Sequence, residues 1–247
     1  MRYAIIAAGE GSRLAQEGID APKPLVKVND EHLIDRLLRI FMANDAEEIV
    51  VICNDLTTLV SAHLADIQQN GLYGRPVPLR FIVKSTPSSM HSFFELSKVL
   101  PPAPQGSDYP FVLTTVDTIF REEEFGDYIA AFKEVLKNGD DGMMGVTDYI
   151  DDEKPLYVEA SPQPSLLITA FLDTCDHPHY ISGGIYGLTS RAFTTLNACM
   201  ERGESRMRNF QRALIRDGLR LRAYPFSKVL DIDHASDIQK AEEFLKI

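Results

Sequence analysis

Tryptophan is absent from the 247 residues, cysteine occurs only three times, and no apolar run approaches the roughly 20 residues that a membrane-spanning helix needs. Cys53, Cys175 and Cys199 cannot all pair within one chain, and they form no CxxC motif. Cysteine usage of this kind is typical of a reduced compartment. The sequence therefore predicts a cytoplasmic protein with no membrane partner.

Positive charge is also scarce. The chain has 25 Lys and Arg against 36 Asp and Glu, which gives a formal net charge of −11. A field of this sign repels polyanions at long range and argues against a nucleic-acid partner or an anionic membrane surface. A phosphorylated partner must therefore be held by a local group of cations.

The pattern of apolar residues predicts an α/β fold. Apolar runs alternate with helical patterns, as in βαβ units on a mostly parallel sheet. Short strands without intervening helices, near residues 143–188, predict a small antiparallel insertion. The prediction is one domain over residues 1–247, with a mixed, mostly parallel central sheet flanked by helices. In the first half, Asn29 or Asp30 is expected to cap a helix, and residues 101–107 form a surface connection.

A glycine-rich turn follows the first predicted strand, at Ala7-Ala8-Gly9-Glu10-Gly11-Ser12-Arg13-Leu14. Glycines at such a turn let backbone amides approach an anionic group closely. The turn is not a dinucleotide fingerprint, because Leu14 stands where the third glycine is needed, and Asn54-Asp55 only imitates the acidic ribose-binding residue. It is not a P-loop either, because the chain has no Gly-Lys pair.

A lysine braced by two prolines follows ten residues after Arg13, in Pro22-Lys23-Pro24-Leu25. Proline restricts the backbone on both sides of the lysine, which indicates a cation with a fixed target. Taken singly, each segment is also compatible with an ordinary surface loop. Their combination directly after a buried strand favours a phosphate-binding site.

These two segments together resemble the N-terminal signature of the sugar-nucleotide pyrophosphorylases, nucleotidyltransferases with a Rossmann-like, GT-A-type fold. The resemblance implies that the glycine-rich loop wraps an NTP. It also implies that Arg13 contacts the β- and γ-phosphates and that Lys23 contacts the α-phosphate and the incoming phosphate. The implied nucleotide-binding residues of the loop are Ala8, Gly9, Glu10, Gly11 and Ser12.

Two aspartates at predicted strand ends are candidate metal ligands. Asp117 ends a buried strand, where carboxylate oxygens suit a hard cation; the alternative is a helix cap near residue 121. Asp231 lies in Asp231-Ile232-Asp233, which is similar to the family's closing segment. The resemblance implies that Asp117 and Asp231 hold Mg²⁺, while Asp233 either joins them or orients its neighbours.

The resemblance also implies three further contacts. Ser89 and Met90 stand where the family reads the nucleobase, with Ser89 replacing a glycine. Gly183 and Gly184 match a sugar-site strand, for which a β-bulge is the alternative. Lys154 matches a lysine that holds the sugar phosphate. Residues from about 1 to 120 would then bind the nucleotide and residues from about 121 to 247 the acceptor.

The implied function is a Mg²⁺-dependent transfer of a nucleotidyl group from an NTP to a sugar 1-phosphate, or to a similar phosphate monoester such as phosphocholine, with release of pyrophosphate. Its partners are an NTP and a phosphorylated small-molecule acceptor. Two alternatives stay open: a glycosyltransferase of the same fold, and a nucleotide-sensing subunit without activity. The sequence leaves the oligomeric state open, and a homo-oligomer is compatible with it.

Overall fold

The computed structural model describes residues 1–100, 108–151 and 154–246, in two compact units. The first unit contains Met1–Leu100, Thr114–Ile119 and the end of the chain from Leu230. The second contains Phe120–Val229 and the chain just before Thr114. Among the helices of these ranges, none is long and apolar enough to cross a membrane.

The first unit is built on parallel strands with helices between them. β1 pairs with β4 and β4 with β5, both in parallel. Two short antiparallel pairs, β2 with β3 and β7 with β13, complete it. Its strands are β1 (Arg2–Ala7), β2 (Lys27–Val28), β3 (Glu31–His32), β4 (Glu48–Cys53), β5 (Leu79–Val83), the end of β6 (Pro110–Thr115), β7 (Thr118–Ile119) and β13 (Leu230–Asp231). Its helices are α1 (Ser12–Gln16), α2 (Leu33–Ala43), α3 (Thr58–Asn70), α4 (Ser89–Val99) and α8 (Ala235–Leu245).

The second unit has a mixed sheet. β8 pairs with β12 in parallel and with β11 antiparallel, and β9 pairs antiparallel with both β10 and β11. Its further strands are β8 (Gly142–Thr147), β9 (Tyr157–Ala160), β10 (Ile168–Leu172), β11 (Tyr180–Thr189) and β12 (Leu221–Phe226). Its helices are α5 (Glu122–Lys137), α6 (Ala192–Glu201) and α7 (Met207–Arg216).

The core of the first unit follows directly from its apolar periodicity. β4 buries Ile49 to Cys53 as a continuous run, as expected for a parallel strand covered on both faces. Helix α2 carries Leu33, Leu37 and Phe41 at a spacing of four residues, which places all three on one buried face. The Phe41 ring stacks on Tyr3 of β1 at 4.2 Å between centroids, which fixes α2 against the sheet.

Aromatic residues and one buried carboxylate order the second unit. Tyr128 of α5 is fully buried, and its hydroxyl donates to the carbonyl of Met143 at 2.8 Å. Asp140, between α5 and β8, accepts hydrogen bonds from Arg220 (2.8 Å) and Arg222 (2.7 Å). Burial by itself would raise the pKa of Asp140, but these guanidinium groups outweigh it and hold that pKa below its usual value. The buried carboxylate thus ties the start of β8 to β12.

The α/β class, the mainly parallel sheet and the antiparallel strands of the second half are confirmed. The predicted helix cap is wrong: α2 begins after His32. Asn29 and Asp30 instead form the β2–β3 turn with positive φ angles of 50° and 62°, a conformation that short polar side chains tolerate. The prediction for residues 101–107 lies outside the described residues, and the single domain over 1–247 stays a prediction.

Candidate nucleotide-binding site

The glycine-rich loop packs directly against the segment that carries Lys23. Gly11 has a φ of 65°, which favours glycine, and a Cβ there would lie 3.2 Å from the Lys23 Cβ atom. Asn54, at the end of β4, donates from its Nδ2 to the carbonyls of Ala8 (3.3 Å) and Gly9 (3.2 Å). The loop is therefore held from two sides, by Asn54 and by the segment that carries Lys23.

Lys23 opens a 3-10 turn that ends at Leu25, and its ammonium group lies between two carboxylates. It donates to Asp117 and, at 2.7 Å, to Oδ1 of Asp233. The Lys23 side chain is only 11% exposed. Burial by itself would lower the pKa of this ammonium, but Asp117 and Asp233 outweigh it and hold the pKa above its ordinary value. Lys23 is therefore a fixed, fully charged cation.

Asp233 bridges the two predicted phosphate-binding cations. Its Oδ1 accepts from Lys23, and its Oδ2 accepts from the Arg13 guanidinium at 2.9 Å. Burial by itself would raise the pKa of Asp233, but the hydrogen bond and charge of Lys23 hold it below its usual value. Asp233 thus orients Arg13 and Lys23, which is one of the two roles that the sequence left open for it.

The predicted metal ligands lie at two paired strands: Asp117 directly precedes β7, and Asp231 ends β13. β7 and β13 place Asp231 opposite Thr118, whose hydroxyl donates to Oδ1 of Asp231 at 3.3 Å. The backbone amide of Ile232 donates to the carbonyl of Asp117 at 3.1 Å. Two carboxylates on adjacent backbones are the oxygen donors that a hard cation prefers, so this donor set fits Mg²⁺. The helix-capping alternative for Asp117 is wrong, because α5 begins after Arg121.

A second contact ties α1 to the end of the chain. Glu17, just after α1, accepts from the Nδ1 of His234 and from the backbone amide of Ala235, both at 2.6 Å. These hydrogen bonds raise the pKa of His234 and lower that of Glu17. Asp237 accepts from the amide of His234 at 2.8 Å and so provides a hydrogen-bond partner for a backbone amide at the start of α8. The segment that carries Asp231 and Asp233 is therefore anchored to the residue that follows α1.

The glycine-rich loop, Lys23, Asp117 and the start of α4 line an open cavity of about 320 Å³, a volume within the range of small-molecule sites. A Cβ at Gly9 would meet nothing within 4 Å, so the backbone of the loop is accessible at this point. Six of the predicted site residues line the cavity: Ala8, Gly9, Glu10, Lys23, Ser89 and Asp117.

Hydroxyl groups line the side of the cavity next to α4. Ser88 caps α4 by accepting from the amide of His91 at 3.3 Å, and its Oγ lies 2.9 Å from the His91 Nδ1. Thr86 and Ser92 join their hydroxyls at 2.6 Å. Met90 is fully buried in the core and is not among the residues that line the cavity, so its predicted base contact stays a prediction. This wall therefore offers polar groups around Ser89 and not a methionine side chain.

The predicted acceptor residues lie in the second unit. The β11–β8 register shifts between Ser182 and Ile185, so Gly183 and Gly184 form the β-bulge that was the alternative for them. Gly184 has a φ of 71°, which explains the glycine. Lys154 is exposed, and its carbonyl accepts from Arg208 at 3.0 Å. Acceptor binding by these three residues stays a prediction.

The fold is that of an α/β protein with an open cavity beside its first strand. The family model described as "Nucleotidyl transferase" matches residues 3–246, so the chain belongs to the nucleotidyl transferase family. The predicted family and enzyme class are confirmed. No curated protein sequence gives a significant match.

Solved structures agree on the fold. The inositol-1-phosphate CTP transferase from T. maritima has a TM-score of 0.71 at 18% identity, covering 100% of this chain and 98% of its own. A putative glucose-1-phosphate thymidylyltransferase from Bacillus anthracis has a TM-score of 0.78 at 19% identity, with 99% and 94% covered. The CTP:phosphocholine cytidylyltransferase from Streptococcus pneumoniae has a TM-score of 0.72 at 16% identity, with 99% of each chain covered.

Sequence reasoning missed several residues of this site. The sequence predicts for Asn54 only an imitation of a ribose-binding acid, whereas its side chain holds the glycine-rich loop by donating to two carbonyls. Its position at the carboxyl end of a strand parallel to β1 was the available signal. The Glu17–His234 contact joins residues 217 positions apart, and local sequence carries no signal for it.

Proposed function

We propose that this protein is a Mg²⁺-dependent nucleotidyltransferase that joins an NTP to a sugar 1-phosphate, or to a similar phosphate monoester such as phosphocholine. The observation that carries the proposal is the nearly buried Lys23 ammonium, held at the edge of a cavity beside an accessible glycine-rich backbone. A buried cation beside open backbone amides suits the phosphates of a nucleotide.

In the proposed reaction, an oxygen of the acceptor phosphate attacks the α-phosphorus of the NTP in line. A new P–O bond forms while the bond between the α-phosphorus and the bridging oxygen breaks, and pyrophosphate leaves with that electron pair. The attacking oxygen is already anionic near neutral pH, so no general base is required. Positioning two anions against each other is then the main task of the site.

The residues of the first unit divide this task. Lys23 binds the α-phosphate and the incoming phosphate, while Arg13 binds the leaving pyrophosphate. Asp233 holds both cations in place, because each of its oxygens accepts from one of them. The carboxylates of Asp117 and Asp231 would hold Mg²⁺, which supplies further neutralisation of phosphate charge.

The acceptor is left to experiment. Lys154, Gly183 and Gly184 are proposed to contribute to its binding, and both the base and the phosphate monoester are to be identified by a substrate panel. A cytoplasmic location is proposed from the sparse cysteines, of which Cys53 and Cys199 are buried free thiols.

The test is pyrophosphate release from each NTP, with Mg²⁺ and a panel of sugar 1-phosphates and phosphocholine. At least one pair should turn over, and Asp117→Asn should remove most of kcat. Asp127→Asn is the matched control, since Asp127 is an exposed carboxylate on α5. Turnover that is equal in Asp117→Asn and wild type would overturn the assignment. NTP binding without turnover across the whole panel would favour the nucleotide-sensing alternative instead.

A further inference from the structure

A second cluster of ligand-type side chains lies in the first unit, away from the cavity-lining residues. His32 is the last residue of β3, Asp35 lies in the first turn of α2, and His63 lies in the middle of α3. Nδ1 of His32 is 3.0 Å from Oδ2 of Asp35, and Nε2 of His63 is 2.6 Å from Oδ1 of the same carboxylate. One ligand atom from each residue lies within 4.8 Å of the other two.

The two imidazole rings converge on one carboxylate. The two imidazole rings stand at 87° to each other with centroids 5.1 Å apart, and both direct a nitrogen toward Asp35. Asp35 is 6% exposed, so its two oxygens are fixed between the rings. The neighbouring carboxylate of Glu31 is already engaged by two hydrogen bonds of 2.8 Å from Arg39. The cluster therefore presents two nitrogens and one carboxylate.

We propose that His32, Asp35 and His63 bind a borderline transition-metal cation of the zinc class. Two nitrogen donors and one oxygen donor suit Zn²⁺, whereas Mg²⁺ and Ca²⁺ prefer oxygen donors throughout. Zinc–nitrogen bonds of about 2.0–2.1 Å separate tetrahedral ligand atoms by roughly 3.3 Å. The observed spacings of 2.6 and 3.0 Å require the ligands to move apart by less than about 1 Å. The two imidazoles are about one quarter exposed, which lets the ion enter and a water complete the tetrahedron.

Binding at this place would cross-link the β3–α2 junction to α3. Leu33, the first residue of α2, donates its amide to the carbonyl of Val26, directly after the turn that carries Lys23. The ion would displace the ring protons that face Asp35, so its affinity should fall as the pH is lowered. The bound ion would increase the stability of the protein, and its binding does not depend on the nucleotidyl transfer proposed above.

Isothermal titration of the metal-free full chain with zinc chloride tests the site, with Mg²⁺ as the comparison ion. Wild type should bind one zinc ion per chain, and His63→Gln should lower the zinc affinity at least tenfold. The Tm of wild type should rise with zinc and that of His63→Gln should not. His63→Gln is preferred to a change at Asp35, because His63 is partly exposed and its loss leaves the core intact.

The double variant His177→Gln/His179→Gln is the matched control. It removes two histidines of the second unit, and its zinc affinity should equal that of wild type. The absence of saturable zinc binding in wild type would overturn the proposal. Zinc affinity that is unchanged in His63→Gln would also overturn it, since the ion would then be held elsewhere.

Discussion

Removal of the Lys23 ammonium should cost most of the catalytic rate. The side chain is 11% exposed, and its charge lies between Asp117 and Asp233. Lys23→Ala would leave these two carboxylates facing the substrate phosphates without the cation between them. By analogy with a lost oxyanion donor the cost is about 3 kcal/mol, which corresponds to a fall in kcat of roughly 10²-fold.

The assay is pyrophosphate release with the substrate pair found in the panel, alongside the Tm of each variant. Lys84→Ala is the matched control, because Lys84 lies just after β5 in the same unit, is 51% exposed and pairs only at the surface with Glu95. Lys84→Ala should keep wild-type kcat. Lys23→Arg keeps the positive charge and serves as a second control for a folding defect. It should retain more activity than Lys23→Ala. A folded Lys23→Ala with a kcat within about threefold of wild type would refute the role of this lysine.

Three further predictions concern stability and ligand access. Asp140→Asn should lower the free energy of unfolding by about 2 kcal/mol in urea denaturation, because it weakens charged hydrogen bonds to a buried group; an unchanged urea midpoint would contradict this. At pH values between the ordinary pKa of Glu17 and the ordinary pKa of His234, the His234→Gln variant should have a lower Tm than wild type. The pKa of His234 is raised and that of Glu17 is lowered, so the difference in Tm should vanish as the pH rises through the raised pKa of His234 or falls through the lowered pKa of Glu17. A difference in Tm that does not depend on pH would count against this ion pair. Gly9→Val should fold with wild-type Tm but weaken NTP affinity at least tenfold in titration calorimetry, because its side chain enters the cavity.

Local sequence was sufficient for the longer strands and helices of the first unit and for part of the candidate site, whereas the short elements α1, β2, β3 and β7 are seen only in the structure. Apolar runs separated by helical patterns predict β1, β4 and β5, because a parallel strand that is buried on both faces is continuously apolar. Gly9, Lys23 and Asp117 could be selected beforehand, since a glycine turn, a braced cation and a strand-end carboxylate each have a local signature. These three line one cavity in the structure.

The contacts of Asp233 were decided only by the tertiary structure, whereas metal binding by Asp231 stays a prediction. Strand β13 ends at Asp231, so the alternation of a strand does not predict where the side chain two residues later points. The fold places Asp233 against Arg13 and Lys23, more than 200 positions earlier in the chain. No periodicity links residues at that separation.

The low number of cations in the sequence argues against a polyanion partner and predicts that a phosphorylated partner is held in a local cationic pocket. That much follows from composition, because long-range charge is a sum over the chain. Which cations form the pocket depends on contacts between distant segments, and so does the His32–Asp35–His63 cluster, whose members come from β3, α2 and α3. Side-chain direction across packed elements is set by tertiary structure, and this is why the sequence alone predicted residues of the cavity but not the second cluster.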